Sequence, residues 1–174
     1  MTTELVARSA TVPSADDPRL GAWRAFLHAH ARLLRRLDEE LQAEHGLSLA
    51  EYDALLQLAH AQDRRLRMSV LAERVLLSRS GITRLVDRLE GSGMVVRSAC
   101  VTDARGAEAS LTAAGLDRLR AASRTHLDGV ERYFLAPIGD DDRAALERAA
   151  NGILDGLGRS AGPGMDAACL PEGA

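Results

Sequence analysis

The stretch LLSRSGITRLVDRLEGSGMVVR, residues 76–97, decides the fold of this chain. Ser78 stands where a helix N-cap is expected, because its hydroxyl can accept a free N–H of the first turn. Gly91 and Gly93 are suited to the left-handed conformation that ends a helix. Between Ser78 and Gly91, four apolar residues recur at the spacing of one helix face: Ile82, Leu85, Val86 and Leu89. The pattern predicts an amphipathic helix with one face in a core.

The opposite face of this helix is polar and rich in arginine. A charged helix face alone is usually just a solvent-exposed surface. The segments on either side of this helix favour a functional interpretation. A short turn at 76–78 precedes the helix, and residues 94–101 and 107–111 follow as two strands of a hairpin with a loop between them. A helix followed by a hairpin with an arginine near its tip is the plan of a helix-turn-helix with a wing, which reads DNA.

Working outward, the sequence predicts helices on both sides of this module. Residues 1–17 are expected to form a flexible arm, and a first helix spans about 18–44. Ser48 and Glu51 form a capping box that starts a second helix. A short strand is expected at 66–68, and Ser69 is expected to cap a third helix.

A long helix is expected after the hairpin, and a last helix ends near Leu157. The fold class is therefore mainly α with a small β wing. The predicted domains are a winged helix-turn-helix at 47–112, a helical dimerisation domain at 18–46 and 113–158, and a disordered tail at 159–174. Wide apolar faces on the terminal helices indicate that they pack together within and between subunits.

Charge is distributed unevenly along the 174 residues. The net charge is −3, yet residues 62–105 hold nine Arg against five acids, a local balance of +4 in an otherwise acidic chain. Phosphate contact needs only a local positive surface. No apolar run approaches the roughly 20 residues that span a bilayer, and no secretory signal is apparent. We expect a cytoplasmic protein without a membrane partner.

These residues resemble the MarR family of winged-helix regulators over about 20–157. The resemblance rests on LAEYDAL at 49–55, LAERV at 71–75, SRSGITRLVDRLE at 78–90, and DAR at 103–105 with LTAAG at 111–115. It implies a homodimer that binds pseudo-palindromic operators in double-stranded DNA, usually as a repressor that a small ligand releases. The predicted function is therefore a sequence-specific, ligand-responsive transcriptional regulator, and not an enzyme.

The resemblance places the DNA contacts on two elements. The recognition-helix positions are Arg79, Ser80, Thr83, Arg84 and Arg88. Arginine can pair bidentately with guanine, and a threonine methyl can meet thymine. Arg88 is better placed for phosphate, or for pairing with Asp87 or with the acid of the wing. In the wing, Arg105 resembles the family arginine that enters the minor groove. Asp103 is expected to orient an arginine.

An effector pocket is expected where the terminal helices meet the DNA-binding lobe. Its candidate lining is Trp23, Phe26, His30, Tyr52 and His126, although each is more often plain core. The expected effector is a small aromatic or anionic molecule.

Two other functions stay open. Cys100 lies near arginines that could lower its pKa, so the chain could be a thiol-based redox regulator, with Cys169 in the tail as a resolving thiol. A plain strand cysteine is the simpler interpretation. The module could also be a protein-interaction domain. No enzyme motif, cofactor motif or compact metal-ligand cluster is apparent, so we expect no cofactor and no metal.

Overall fold

The computed structural model describes residues 12–99 and 107–158. The arm before residue 12, the loop 100–106 and the tail after 158 lie outside the described residues. The elements in the described ranges are α1 (Leu20–His45), α2 (Leu49–His60), β1 (Arg65–Arg67), α3 (Met68–Arg74), α4 (Arg79–Gly91), β2 (Val95–Ala99), β3 (Ala107–Leu111), α5 (Ala113–Val130) and α6 (Asp140–Gly156).

A small antiparallel sheet of three strands packs against the helices of the middle segment. Its strand order is β1-β3-β2, with β3 in the centre. Leu66 of β1 lies opposite Ala109, and Val95 of β2 lies opposite Leu111. The predicted fold class, mainly helical with a small β wing, is confirmed.

The core forms where α2, α3, α4 and α5 meet the sheet. The predicted apolar stripe of α4 is buried along its whole length. Removing such side chains from water is the main source of stability in a domain of this size. The largest fully buried side chains are Leu41, Leu47, Leu55, Leu58, Leu71, Ile82, Leu85, Leu89, Leu119, Val86 and Val95.

Helices α1 and α5 run antiparallel against each other. Glu44 accepts a hydrogen bond from Thr125 at 2.7 Å, and Glu40 accepts one from Tyr133, which lies beyond the end of α5. Gly129 makes the close approach possible, since a Cβ there would lie 2.7 Å from a methyl of Leu37. The chain then passes through a π-helical turn, Glu131–Leu135.

One predicted helix start is wrong. Ser69 does not cap α3, because the helix begins at Met68, directly after β1. Arg67 occupies the N-cap position and makes no side-chain capping bond. With no loop between strand and helix, Ser69 already lies inside the first turn.

The outer helices carry apolar side chains that the single chain leaves uncovered. No residue of α6 is buried among those described, and on α1 only Leu37 and Leu41 are. The large exposed apolar residues of these two helices are Trp23, Phe26, Leu27, Leu146, Ile153 and Leu154.

Candidate nucleic-acid interface

Helix α4 is fixed by its cap and by its buried stripe. Ser78 Oγ accepts the Gly81 N–H at 3.1 Å, as the sequence predicts. Leu76, in the turn between α3 and α4, adopts a positive φ of 57° and is 87% exposed. This conformation is uncommon for leucine, and no sequence signal indicated it. Cap, turn and stripe together set which face of α4 points outward.

The outward face carries the five recognition-helix residues that the sequence singled out, and all of them are exposed: Arg79, Ser80, Thr83, Arg84 and Arg88. Thr83 Oγ1 donates to the Arg79 carbonyl at 2.8 Å. The guanidinium groups of Arg79 and Arg84 make no hydrogen bond or ion pair with any described residue. Two unpaired cations therefore stand on one helix face, available to an anionic or hydrogen-bonding partner.

Arg88 is held differently from the other two arginines. Its Nε donates to Glu51 Oε1 at 2.7 Å, across from α4 to α2. The sequence identified Glu51 only as half of a capping box, and that box is confirmed. Its second role escaped sequence reasoning because Arg88 lies 37 positions further on, beyond any local periodicity.

Arg97 anchors the first wing strand to α4. It reaches Asp87 with Nη2 at 2.5 Å, and its backbone N–H donates to Glu90 at 2.9 Å. Its buried Nε lies 4.0 Å from Glu90 Oε2, an ion-pair distance, and has no hydrogen-bond partner among the described residues. The sequence did not single out Arg97 as an anchor, because only the pairing of β2 against α4 brings these groups together.

The remaining wing predictions lie outside the described residues. Arg105, Asp103 and Cys100 all fall within 100–106, which the structure does not describe. Their roles in minor-groove contact, arginine orientation and redox sensing stay predictions.

The five candidate effector residues form two separate groups in the chain. Tyr52 and His126 are buried with ring centroids 4.6 Å apart. The other three form an exposed stack on α1, with centroid distances of 6.5 Å for Trp23–Phe26 and 5.9 Å for Phe26–His30.

Several turns of helix α1 separate these two groups. Thr125, the neighbour of His126, bonds to Glu44. Glu44 lies fourteen positions after His30 on α1, which is about 21 Å of helix. One chain therefore does not bring all five residues to one cavity, and the predicted pocket stays a prediction.

His126 is the most unusual member of the buried pair. Its Nδ1 is buried and has no hydrogen-bond partner. Burial lowers the pKa of His126 below its usual 6.5, so the imidazole is neutral at pH 7. The Tyr52 hydroxyl donates to Ser123 Oγ at 3.3 Å, which joins α2 to α5 beside the ring.

Neither a metal centre nor a membrane span is found in the described ranges. Within 12–99 and 107–158, no group of three or more His, Cys, Asp or Glu side chains could hold a metal ion. No helix in those ranges is both long and apolar enough to cross a bilayer.

The buried core, the three-stranded sheet and the exposed arginine face of α4 define a winged helix-turn-helix protein. Comparison with known proteins makes the class more specific. A sequence model of the MarR family matches residues 45–106. Sco3205, a MarR family transcriptional regulator from Streptomyces coelicolor solved in complex with DNA, shares 31% identity and a TM-score of 0.79, over 88% of this chain and 94% of that one.

A second structure gives the same result. AbsC, a MarR family transcriptional regulator from Streptomyces coelicolor, is 31% identical with a TM-score of 0.76, over 84% of this chain and 98% of that one. The chain belongs to the MarR family of transcriptional regulators.

Curated relatives match over shorter lengths. The regulator MhqR of Bacillus subtilis is 34% identical over 76 residues, which is 44% of this chain and 51% of MhqR. The regulator PrsX of Escherichia coli is 30% identical over 111 residues, 62% of this chain and 66% of PrsX. The chain thus spans about half to two thirds of the length of these relatives.

Proposed function

We propose that this chain is a sequence-specific DNA-binding transcriptional regulator that binds pseudo-palindromic operators as a homodimer. The observation that carries the proposal is the exposed face of α4, where Arg79 and Arg84 stand without a partner among the described residues. The complex of Sco3205 with DNA supports it, since that relative shares the fold over nearly its whole length.

Each exposed side chain of α4 suits a different feature of the duplex. Arg79 and Arg84 can each donate two hydrogen bonds to O6 and N7 of guanine in the major groove. Thr83 has its hydroxyl engaged with the helix backbone, which leaves its methyl group for contact with a thymine methyl. Arg88 is assigned to phosphate, and Arg105 of the wing to the minor groove.

The uncovered apolar faces of α1 and α6 support the dimer. Contiguous exposed apolar surface on a soluble protein usually marks an interface. A second copy with the same faces would cover them through a two-fold axis. Two recognition helices would then enter successive major grooves about 34 Å apart.

We further propose that the chain represses transcription and that a small aromatic or anionic effector releases it from the operator. The proposed location is the cytoplasm. These parts rest on the family resemblance.

The test is to select an operator from random duplexes with the purified chain and to compare the variants Arg79→Ala and Arg84→Ala on it. Because a bidentate guanine contact contributes about 1–3 kcal/mol, we expect each variant to lose at least about fivefold in operator affinity. Each should also relax selectivity at one base pair of the half-site. The affinities are measured by fluorescence anisotropy at one fixed salt concentration.

Arg35→Ala is the matched control. Arg35 is an exposed arginine of α1 whose side chain pairs, within the described part of the chain, only with Glu39 on the same helix, so its loss should leave operator affinity within about twofold. Operator affinity that survives both α4 substitutions would contradict the proposal. A folded dimer that selects no duplex at all would favour the protein-interaction module.

A further inference from the structure

Glu51 is a buried carboxylate at the start of α2. Only 8% of its surface is exposed. Its Oε2 accepts the Ser48 backbone N–H at 2.9 Å and the Ser48 hydroxyl at 3.0 Å. These bonds complete the capping box, so one carboxylate oxygen is fully used by the local structure of α2.

The other oxygen of Glu51 reaches a different helix. Oε1 accepts the Arg88 Nε–H at 2.7 Å. Burial, the largest influence, would raise the pKa of Glu51, but the hydrogen bonds from Ser48 and Arg88 outweigh it and lower the pKa. The carboxylate is therefore charged at neutral pH, and it forms a charge-assisted bond to the recognition helix.

This bond fixes the orientation of the Arg88 guanidinium. Its Nε is taken by Glu51, and its Nη1 lies 3.4 Å from the Arg84 carbonyl, on the exposed face of α4. No described residue bonds to Nη2, and the side chain remains 59% exposed. The N–H groups of Nη2 are thus without a hydrogen-bond partner among the described residues and can donate to a further acceptor.

We propose that Glu51 is a positioning residue for operator binding, which holds Arg88 so that its free N–H groups meet a phosphate of the DNA backbone. The inference rests on the proposed function and deepens it. An arginine side chain that nothing holds loses rotamer entropy when it binds a partner. Holding the guanidinium in place before DNA arrives removes part of that cost from binding.

The direction in which DNA affinity changes when the Glu51 charge is removed distinguishes a positioning role from simple repulsion of phosphate. Removing an acid close to DNA should strengthen binding if its charge merely repels phosphate. If Glu51 positions Arg88, removing its charge should weaken binding instead. Glutamine is the variant of choice, because Gln is accepted at this position of a capping box and keeps α2 capped.

The experiment is a double-mutant cycle of Glu51→Gln and Arg88→Ala in the full chain. Affinity for the selected operator and for an unrelated duplex is measured over a salt series. We expect Glu51→Gln to lower the affinity for both duplexes about three- to tenfold, because a phosphate contact is not sequence-specific. Arg88→Ala should lower both affinities at least as much. It should also reduce the slope of log affinity against log salt concentration by about one per lost phosphate contact. The double variant should match Arg88→Ala.

Glu39→Gln is the control. It removes the same charge from an exposed glutamate of α1 that pairs with Arg35 and Arg36, and it should leave affinity unchanged. Circular dichroism and melting curves establish that each variant is folded.

Two results would overturn the inference while leaving the proposed function intact. One is unchanged or stronger DNA binding by Glu51→Gln. The other is a further loss when Glu51→Gln is added to Arg88→Ala, because that loss would come from the fold and not from Arg88. A wild-type chain that selects no operator would instead contradict the proposed function itself.

Discussion

His126 shows how a single residue can tie stability to pH. The ring packs against Tyr52 in a tilted arrangement, and its Nδ1 is buried with no hydrogen-bond partner among the described residues. Burial lowers its pKa in the folded chain, while in the unfolded chain the ring recovers its usual value of 6.5. Below that pH the unfolded state binds the proton first, so acid favours unfolding.

The corresponding prediction concerns His126→Phe. The wild-type chain should lose stability as the pH falls from about 7 toward the lowered folded-state pKa, and the variant should lose less over the same window. Phenylalanine keeps the ring and cannot take a proton. Urea unfolding at pH 8 and at pH 5 measures both differences. An equal acid-induced loss in the two proteins would show that His126 does not carry the effect.

The residue scale also shows what sequence can and cannot predict. The capping box of Ser48 and Glu51 is local, so its spacing alone predicted it. The bond from Arg88 to Glu51 joins residues far apart in the chain, and the anchoring of Arg97 depends on the pairing of β2 with α4. Tertiary partners of this kind leave no periodic signal.

At the scale of elements, the contact of α5 with Met94, the residue before β2, depends on one glycine. Gly115 lies in the first turn of α5, and a Cβ built there would be 2.1 Å from the Met94 carbonyl oxygen and 2.8 Å from a methyl of Leu111. Met94 O also accepts the Thr112 N–H at 3.1 Å, so this backbone cannot simply move away.

We therefore expect Gly115→Ala to destabilise the fold by about 3 kcal/mol, at the upper end of the cost of overpacking. Gly152→Ala is the matched control, since a Cβ there meets nothing within 4 Å in the described residues. In the interior of α6 that change should stabilise by about 0.5–1 kcal/mol. Thermal unfolding compares the two. A Gly115→Ala variant as stable as the wild type would show that the helix start can shift freely.

The elements themselves were largely predictable. The stripe of α4 and the hairpin followed from periodicity, because a buried face imposes its spacing on the sequence. The start of α3 was not predicted correctly. Ser69 is a residue type that often caps helices, but here the chain enters the helix directly from β1. Capping preference is a local tendency that tertiary structure overrode.

At the scale of the whole molecule, charge and apolar surface are segregated. The excess of arginine lies in the middle segment 62–105, which includes α4, while α1 and α6 carry exposed apolar side chains that the single chain leaves uncovered. Sequence alone predicted this division. It could not predict that Trp23, Phe26 and His30 lie far from Tyr52 and His126, because the length of α1 between them sets that distance.

The most direct test of a dimer that places two recognition helices on one duplex is hydroxyl-radical footprinting of the selected operator. We predict two protected patches related by a dyad, with centres about one helical turn apart, near 34 Å. Both patches should weaken together in Arg84→Ala, because the same residue serves both half-sites. A single patch, or protection without two-fold symmetry, would contradict the proposed dimer on DNA.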